Sequence, residues 1–333
     1  MNDATPTNEE LLQLAEIGWM YYGEERTQEQ IAKETGLSRP TISRMLRDAR
    51  LHGVVEIRVH YPFQTVPRME AELRTLLGLK EVKVLAIGDQ SDERGQQSDV
   101  SQRVGALAGR YLRKHVQDHT TIGLGWGSMV QHVVSSGQLS QKRGMTVVQI
   151  QGSIGGATQD IDGARIITSL GRALGARVFL LSAPMVVADP AVRTGLLRDE
   201  HIRNTLEIGR RADTLVVGVG AVSPQSGLYR AGYLNDADLA FMRAEGAVGD
   251  ICGSYFELSG ALCRTELNDR IIALDADVMR KVPNRVAVSS GVAKALPNIG
   301  AARSGLINTL ITDEEAATEM LALLKQETAV VTP

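Results

Sequence analysis

The chain has 333 residues, of which 43% are apolar and 23% charged, and its formal net charge is −3. That is the balance of a folded globular protein of about two domains. It excludes a polycation, so any nucleic-acid binding must come from a local patch. Two cysteines, Cys252 and Cys263, are too few for a disulfide framework or a cysteine zinc site and fit a reducing cytoplasm. No run of about 18 apolar residues offers a membrane span. The polar, acidic start MNDATPTNEE resembles neither a signal nor a transit peptide.

Residues 1–60 are expected to form a helical DNA-binding domain, 61–79 a linker and connecting helix, and 80–333 a larger effector and oligomerisation domain. Leu11, Leu14, Ala15, Ile17 and Tyr21 share one helix face. Thr7 with Glu10 makes a capping box, and Gly23 a stop. Thr27 with Gln30 opens a second helix through Ile31, Ala32 and Lys33, which Gly36 breaks. Ser38 caps a third, with Pro40 in its first turn; Ile42, Met45, Leu46 and Ala49 face inward and Gly53 ends it. Val54–His60 alternates as a short strand. Pro62 and Pro67 mark the linker, and Met69–Leu77 reads as a short helix.

Beyond residue 80, short β-rich runs recur: Val82–Ile87, Thr121–Leu124, Thr146–Ile150, Val178–Leu181, Thr214–Val219, Ile271–Leu274, Val286–Val288 and Leu310–Thr312. Helical stretches separate most of them: Val100–His115, Asp162–Leu174, Ala191–Arg211, Asp236–Ala244 and Asp313–Lys325. This alternation predicts a mostly parallel sheet covered on both faces. Glycines follow the strand ends: Gly123, Gly125 and Gly127, then Gly152, Gly155 and Gly156, then Gly218 and Gly220, then Gly291. Ligands of open α/β sheets bind beyond those carboxyl ends.

The stretch Gln28–Arg47, QEQIAKETGLSRPTISRMLR, has the pattern of a helix-turn-helix. Ala32 is small where the third helix packs, Gly36 permits a turn of positive φ, and Ile31, Leu37, Ile42 and Met45 fill the core. Gln28, Ser38, Arg39, Thr41, Ser43, Arg44 and Arg47 remain as candidate DNA contacts. Arginine bonds guanine bidentately, serine and threonine take phosphate or base contacts, and such a helix fits the major groove. Arg39, Arg44, Arg47, Arg50 and Arg58 face only Asp48 and Glu56 over residues 39–58, whereas the preceding segment is acidic. An ordinary helical hairpin with a solvated arginine face is the bland alternative, and the joint pattern of small, glycine, aliphatic and polar positions argues against it.

The whole chain resembles the SorC (deoxyribonucleoside-regulator-like) family of bacterial transcription factors. The resemblance rests on the helix-turn-helix and on IGLGWGSMVQ (122–131), VVQIQGSIGG (147–156), GAVGDICGSYFE (246–257), SSGVAKAL (289–296) and LITDEEA (310–316), in the family's order. It implies an N-terminal helix-turn-helix joined to a C-terminal α/β Rossmann-like sugar-binding domain related to glucosamine-phosphate deaminases and ribose-phosphate isomerases. It implies double-stranded operator DNA and a small carbohydrate effector as partners, a homodimer or homotetramer, a cytoplasmic location, no membrane and no catalysis.

The family's effector loop corresponds to Gly125, Trp126, Gly127 and Ser128, where a glycine turn entering a helix makes an anion nest. Met129 replaces the family's usual threonine. Gln151, beside Gly152, stands where some members carry a Schiff-base lysine, and it can hydrogen-bond hydroxyls but cannot form an imine. Asp250 resembles the residue contacting sugar hydroxyls, and Lys294 the one meeting an anionic end. Cys252 joins this candidate set, although its residue type suits a buried filler. Glycine runs also serve tight turns, Asp250 also suits a turn cap, Lys294 a surface position and Trp126 a wall. The histidines lack metal-ligand spacing, and no cofactor is expected. Two other functions fit the residues less well. One is a sugar-phosphate isomerase or deaminase, which needs a carboxylate base and an acid partner that the glycine loops do not display. The other is a DNA-binding protein whose large domain only oligomerises.

Overall fold

Side-chain caps open the three α-helices among the described residues of the first unit. A computed structural model describes residues 7–55, 63–88, 100–154 and 163–331, in two compact units, Met1–Tyr61 and Pro62–Pro333. In α1 (Asn8–Gly18), Thr7 Oγ1 accepts from the Glu10 N–H and the Glu10 carboxylate accepts from the Thr7 N–H at 2.7 Å. Thr27 and Gln30 repeat this box at α2 (Gln28–Thr35). Gly36 ends α2 at φ +72°, and Ser38 caps α3 (Arg39–Leu51) by accepting from the Thr41 N–H. Ile17, Ile31, Ile42 and Leu46 make the core, closed by Met20, Tyr21, Ala32 and Met45.

Three expectations in this unit change. Leu37 is 39% exposed, because it sits in the turn between left-handed Gly36 and the Ser38 cap. Ala15 is exposed; the buried stripe runs through Leu14, Ile17 and Gly18, and Gly18 lets Val55 come close, since a methyl group there would lie 2.7 Å from Val55 Cγ2. The first helix does not run unbroken to Gly23 but passes into a π-helical turn, Trp19–Gly23. Most of the expected strand Val54–His60 lies outside the described residues, as do Glu56, Arg58, Pro62, Gly155, Gly156 and Asp162.

The second unit begins with α4 (Pro67–Leu77), where Pro67 opens the helix two residues before its expected start. Then follow β1 (Glu81–Leu85), α5 (Val100–His115), β2 (Thr121–Leu124), α6 (Ser128–Ser135), β3 (Thr146–Gln149), α7 (Gly163–Leu174) and β4 (Arg177–Phe179). Next come α8 (Pro190–Arg198), α9 (Glu200–Arg210), β5 (Thr214–Gly218), β6 (Gly220–Ala221), α10 (Gly227–Arg230), α11 (Asp236–Ala244), β7 (Ala247–Ile251) and β8 (Ser254–Glu257). The unit closes with α12 (Ala276–Met279), β9 (Asn284–Val288), α13 (Ala295–Arg303), β10 (Thr309–Asp313) and α14 (Glu314–Val331).

Seven strands form one parallel sheet in the order β1-β10-β9-β5-β2-β3-β4. Two apolar clusters cover its faces, one around Val104, Ile122, Val130 and Ile167, the other around Leu73, Leu215, Ile299 and Met320. Buried on both sides, the strands read as continuous apolar runs. From β2 the chain adds β3 and β4 on one side, then returns to add β5 on the other. The switch point therefore lies between β2 and β5.

Three segments of this unit differ from expectation. Ile271–Leu274 is no sheet strand: Ile271 and Ala273 make isolated antiparallel bridges to Val186 and Gln151. Ala191–Arg211 is two helices, because Asp199 is extended and its carboxylate caps α9 by accepting from the N–H groups of His201 and Ile202. A second, three-stranded antiparallel sheet, β6-β7-β8, also lies outside the expected strands.

Candidate functional site

The loops beyond β2, β3 and β5 meet the β7–β8 hairpin around a cleft of about 170 Å³. Gly125, Trp126, Gly127, Ser128, Gln151, Asp250, Cys252 and Lys294 all line it. Met129, Gly218–Ala221, Ser223, Gln225–Leu228 and Arg230 complete the wall together with Tyr255 and Met185.

Each side chain is held for a local reason. Gly125 continues β2 by donating its N–H to the Val216 carbonyl at 3.0 Å, and a methyl group on it would make ordinary contacts with Cys252 and Gln151. The buried Trp126 donates its indole N–H to the Gly152 carbonyl at 2.6 Å. Methyl groups on Gly163 and Gly227 would approach its ring to 2.9 and 3.4 Å. Trp126 is thus a wall clamped between two glycines. Gly152 itself does not line the cleft: it packs against the Pro184 backbone and serves as the acceptor for Trp126. Gln151, 4% exposed, donates to the Trp126 carbonyl at 3.2 Å. Beneath it the buried Gln149 donates to the Gln151 carbonyl and accepts from the Leu181 N–H, which fixes the course of the chain.

Asp250 and Lys294 supply the charge. Asp250 pairs with Gly220 across β6–β7, and its carboxylate accepts from the Gly253 N–H at 3.0 Å. It is therefore a turn cap that still faces the cleft. Burial pushes its pKa up, against the opposing pull of the Gly253 N–H and the Lys294 charge. Burial pushes the Lys294 pKa down, against the pull of Asp250. Lys294 Nζ donates to the Val219 carbonyl at 2.8 Å. The turn that presents it is anchored from β10: Gly291 donates its N–H to the fully buried Asp313, which also accepts from the Ala316 N–H and so caps α14. The segments SSGVAKAL and LITDEEA thus form one support for the lysine.

Cys252 is buried, and burial pushes its thiol up, beyond the range where it would be a nucleophile. The polar lining residues missed in the sequence are Ser223, Gln225, Ser226 and Arg230, around the four-residue α10. Ser226 caps α10 by accepting from the Tyr229 N–H, and the run SPQSGLYR, with its serines, glycine and arginine, carried the signal. No group of three or more His, Cys, Asp or Glu residues placed to hold a metal occurs among the described residues.

In the first unit, α3 presents Arg39, Ser43, Arg44 and Arg47 on its exposed face. Ser38 and Thr41 are tied to each other, their hydroxyl oxygens 2.7 Å apart. Gln28 is half-buried at the start of α2 and shares a surface hollow with Tyr22 and Arg39. Arg47 leans on Asp48 at 3.5 Å. Arg26 bridges Glu24 and Glu34 and so is spent within the unit.

Residues 61–322 match the family described as "Putative sugar-binding domain", and residues 19–52 match region 4 of sigma-70 factors. The deoxyribonucleoside regulator of Bacillus subtilis is 31% identical over 91% of this chain and 95% of its own length. The sorbitol operon regulator of Klebsiella pneumoniae is 28% identical over 92% of this chain and 97% of its own. The crystal structure of that full-length regulator, SorC, covers 95% of this chain and all of its own at a TM-score of 0.68 and 25% identity. A DeoR family transcriptional regulator from Listeria monocytogenes covers 76% of this chain and 98% of its own, also at a TM-score of 0.68 and 25% identity. A helix-turn-helix followed by this sugar-binding domain, matched over more than nine-tenths of the chain, places it in the SorC family of transcriptional regulators.

Proposed function

We propose that the chain regulates a carbohydrate-metabolism operon by binding operator DNA through α3, under the control of a small sugar, polyol or sugar phosphate held in the cleft. One observation carries this reading: six loops from distant parts of the sequence converge at the sheet's switch point. There they set one carboxylate, one half-buried ammonium, an arginine and several hydroxyl and amide groups around a small cavity. Asp250 and Gln151 suit hydroxyls, and Lys294 with Arg230 suits an anionic end. Asp250 is the one carboxylate among the described residues that line the cleft. This supports binding over enolisation of a sugar, which requires a base and an acid partner.

Regulation follows from geometry. The protein acts as a homodimer or homotetramer in the cytoplasm, its paired α3 helices engaging half-sites about one helical turn, or a multiple of it, apart. An effector that binds one arrangement of subunits better than another shifts that spacing and with it DNA affinity. The test is a panel of sugars, polyols and their phosphates, read by thermal shift and by gain or loss of DNA carrying the gene's own upstream region. A ligand at a hundred times its Kd stabilises by about 2.7 kcal/mol. Conversion of a panel member to product, abolished in Asp250→Asn, would replace this reading with an enzyme.

A further inference from the structure

The hairpin turn that carries Cys252 separates the cleft from a second cavity of about 430 Å³. Cys252 and Tyr255 line both spaces. Ile251 pairs with Ser254, so the turn has two central residues, Cys252 at φ +51° and Gly253 at φ +79°. Positive φ at both positions is the pattern of a two-residue hairpin turn that favours asparagine followed by glycine. Gly253 meets this at no cost, whereas Cys252 holds a Cβ in the left-handed region, a strained arrangement that surrounding contacts must maintain.

Two contacts maintain it. From the cleft side, the Asp250 carboxylate accepts the Gly253 N–H at 3.0 Å. Gly253 also lies against Ile271, which lines the second cavity, and Met185, which lines the cleft, so closely that a methyl group on it would fall 2.6 Å from Ile271 Cδ1 and 3.2 Å from Met185 Cε. The Ile271 carbonyl in turn accepts from Arg193 Nε on α8 at 2.6 Å, and an Arg193 Nη atom stands 3.8 Å from Asp275. Arg193, Ile271 and Asp275 all line the second cavity. A continuous set of contacts therefore runs from a charged group of the cleft, through a strained turn, to a helix on the other side.

We propose that the Ile251–Ser254 turn is a two-position element coupling the cleft to the second cavity and α8. A ligand hydroxyl that donates to Asp250 and draws its carboxylate toward the cleft breaks the bond from the Gly253 N–H, Cys252 relaxes out of the left-handed region, and the wall shared with Ile271 and Arg193 moves. The link to a ligand rests on the reading of the cleft as the effector site; the coupling does not, and it is tested on the full chain with no ligand added.

Hydrogen–deuterium exchange is compared for Cys252→Gly, Cys252→Ala and Cys252→Val. Glycine and alanine both remove the thiol, but only glycine removes the strain, so their difference isolates the backbone. Relative to alanine, the glycine variant is expected to exchange about 5–30-fold more slowly, both in residues 250–255 and in residues 190–198 and 268–276. The valine variant is expected to exchange faster in all three segments. Equal exchange in the glycine and alanine variants overturns the strained turn. A difference confined to residues 250–255 overturns the coupling, whatever a sugar panel shows.

Discussion

The carboxylate of Asp250 occupies the space that a side chain on Gly220 would need. The two residues face each other across β6 and β7, and a methyl group built on Gly220 overlaps Asp250 Oδ1. Gly220→Ala is therefore expected to destabilise the large unit by about 1–3 kcal/mol, the usual effect of overpacking a filled site. In an Asp250→Ala background the same change should cost measurably less, since the obstructing group is gone. Urea unfolding followed through the buried Trp126 measures all four corners of this cycle. Equal costs in both backgrounds would show that the two side-chain positions do not interact.

Burial of Asp250 and Lys294 makes stability depend on pH with opposite signs. The folded protein raises the Asp250 pKa above 3.8, so it holds that proton more tightly than the unfolded chain does. The resulting stability is complete below 3.8 and is lost as pH rises through the folded value. Asp250→Asn carries no such proton, so its Tm should gain on the wild type as pH rises from 3.8 through the folded value. Lys294, lowered from 10.5, contributes stability that is complete above that value and is lost as pH falls through the folded one. Lys294→Met should accordingly gain on the wild type as pH falls from 10.5. Parallel Tm profiles would mean that neither group is desolvated as the cleft places it.

The parts of the fold legible in the sequence are those set by contacts between near neighbours. Thr7 with Glu10, Thr27 with Gln30, and Ser38 are caps within three residues, and they announce their helices directly. Thr121–Leu124 and Val100–His115 carry their periodicity in their own composition. What stayed hidden depends on distant partners. β6 is only Gly220–Ala221, too short to alternate, and exists because β7 pairs with it. Ile271–Leu274 has strand composition, yet its neighbours Val186 and Gln151 lie outside the main sheet. Asp199 caps from within a helical run, where an acidic residue attracts no notice. In the cleft, the glycine loop, Gln151, Asp250 and Lys294 were readable through resemblance, whereas Arg230 and Ser226 sit on a single helical turn with no periodic signal.

Lys294 is held by a backbone carbonyl on β5–β6 and by a turn anchored on Asp313, so removing its charge leaves the support intact. Lys294→Met is expected to abolish the ligand-induced change in DNA binding while leaving ligand-free DNA affinity within about twofold, a difference of roughly 0.4 kcal/mol. Competition binding with and without the panel sugar that shifts the wild type measures both. Loss of ligand-free DNA affinity would place the lysine in the structure that sets DNA binding and outside the effector response.

Arg44 and Arg47 lie on the same exposed face of α3, but Arg47 leans on Asp48 at 3.5 Å, whereas Arg44 makes no ion pair among the described residues. A guanidinium already next to an acid presents fewer donors and a smaller net charge to a base edge. If α3 enters the major groove, Arg44→Ala should weaken binding to the operator by about 1–3 kcal/mol and relax the base preference at one position, as loss of a bidentate guanine contact does. Arg47→Ala should weaken all sequences similarly and reduce the salt dependence by about one counterion, the mark of a phosphate contact. Titrations of the gene's upstream fragment at several salt concentrations, with each base pair of the protected half-site varied in turn, separate the two behaviours. A uniform, sequence-blind loss for Arg44→Ala would make it another phosphate contact and move base reading to Ser43 and Arg39. An unchanged affinity for both variants would remove this face of α3 from the groove altogether.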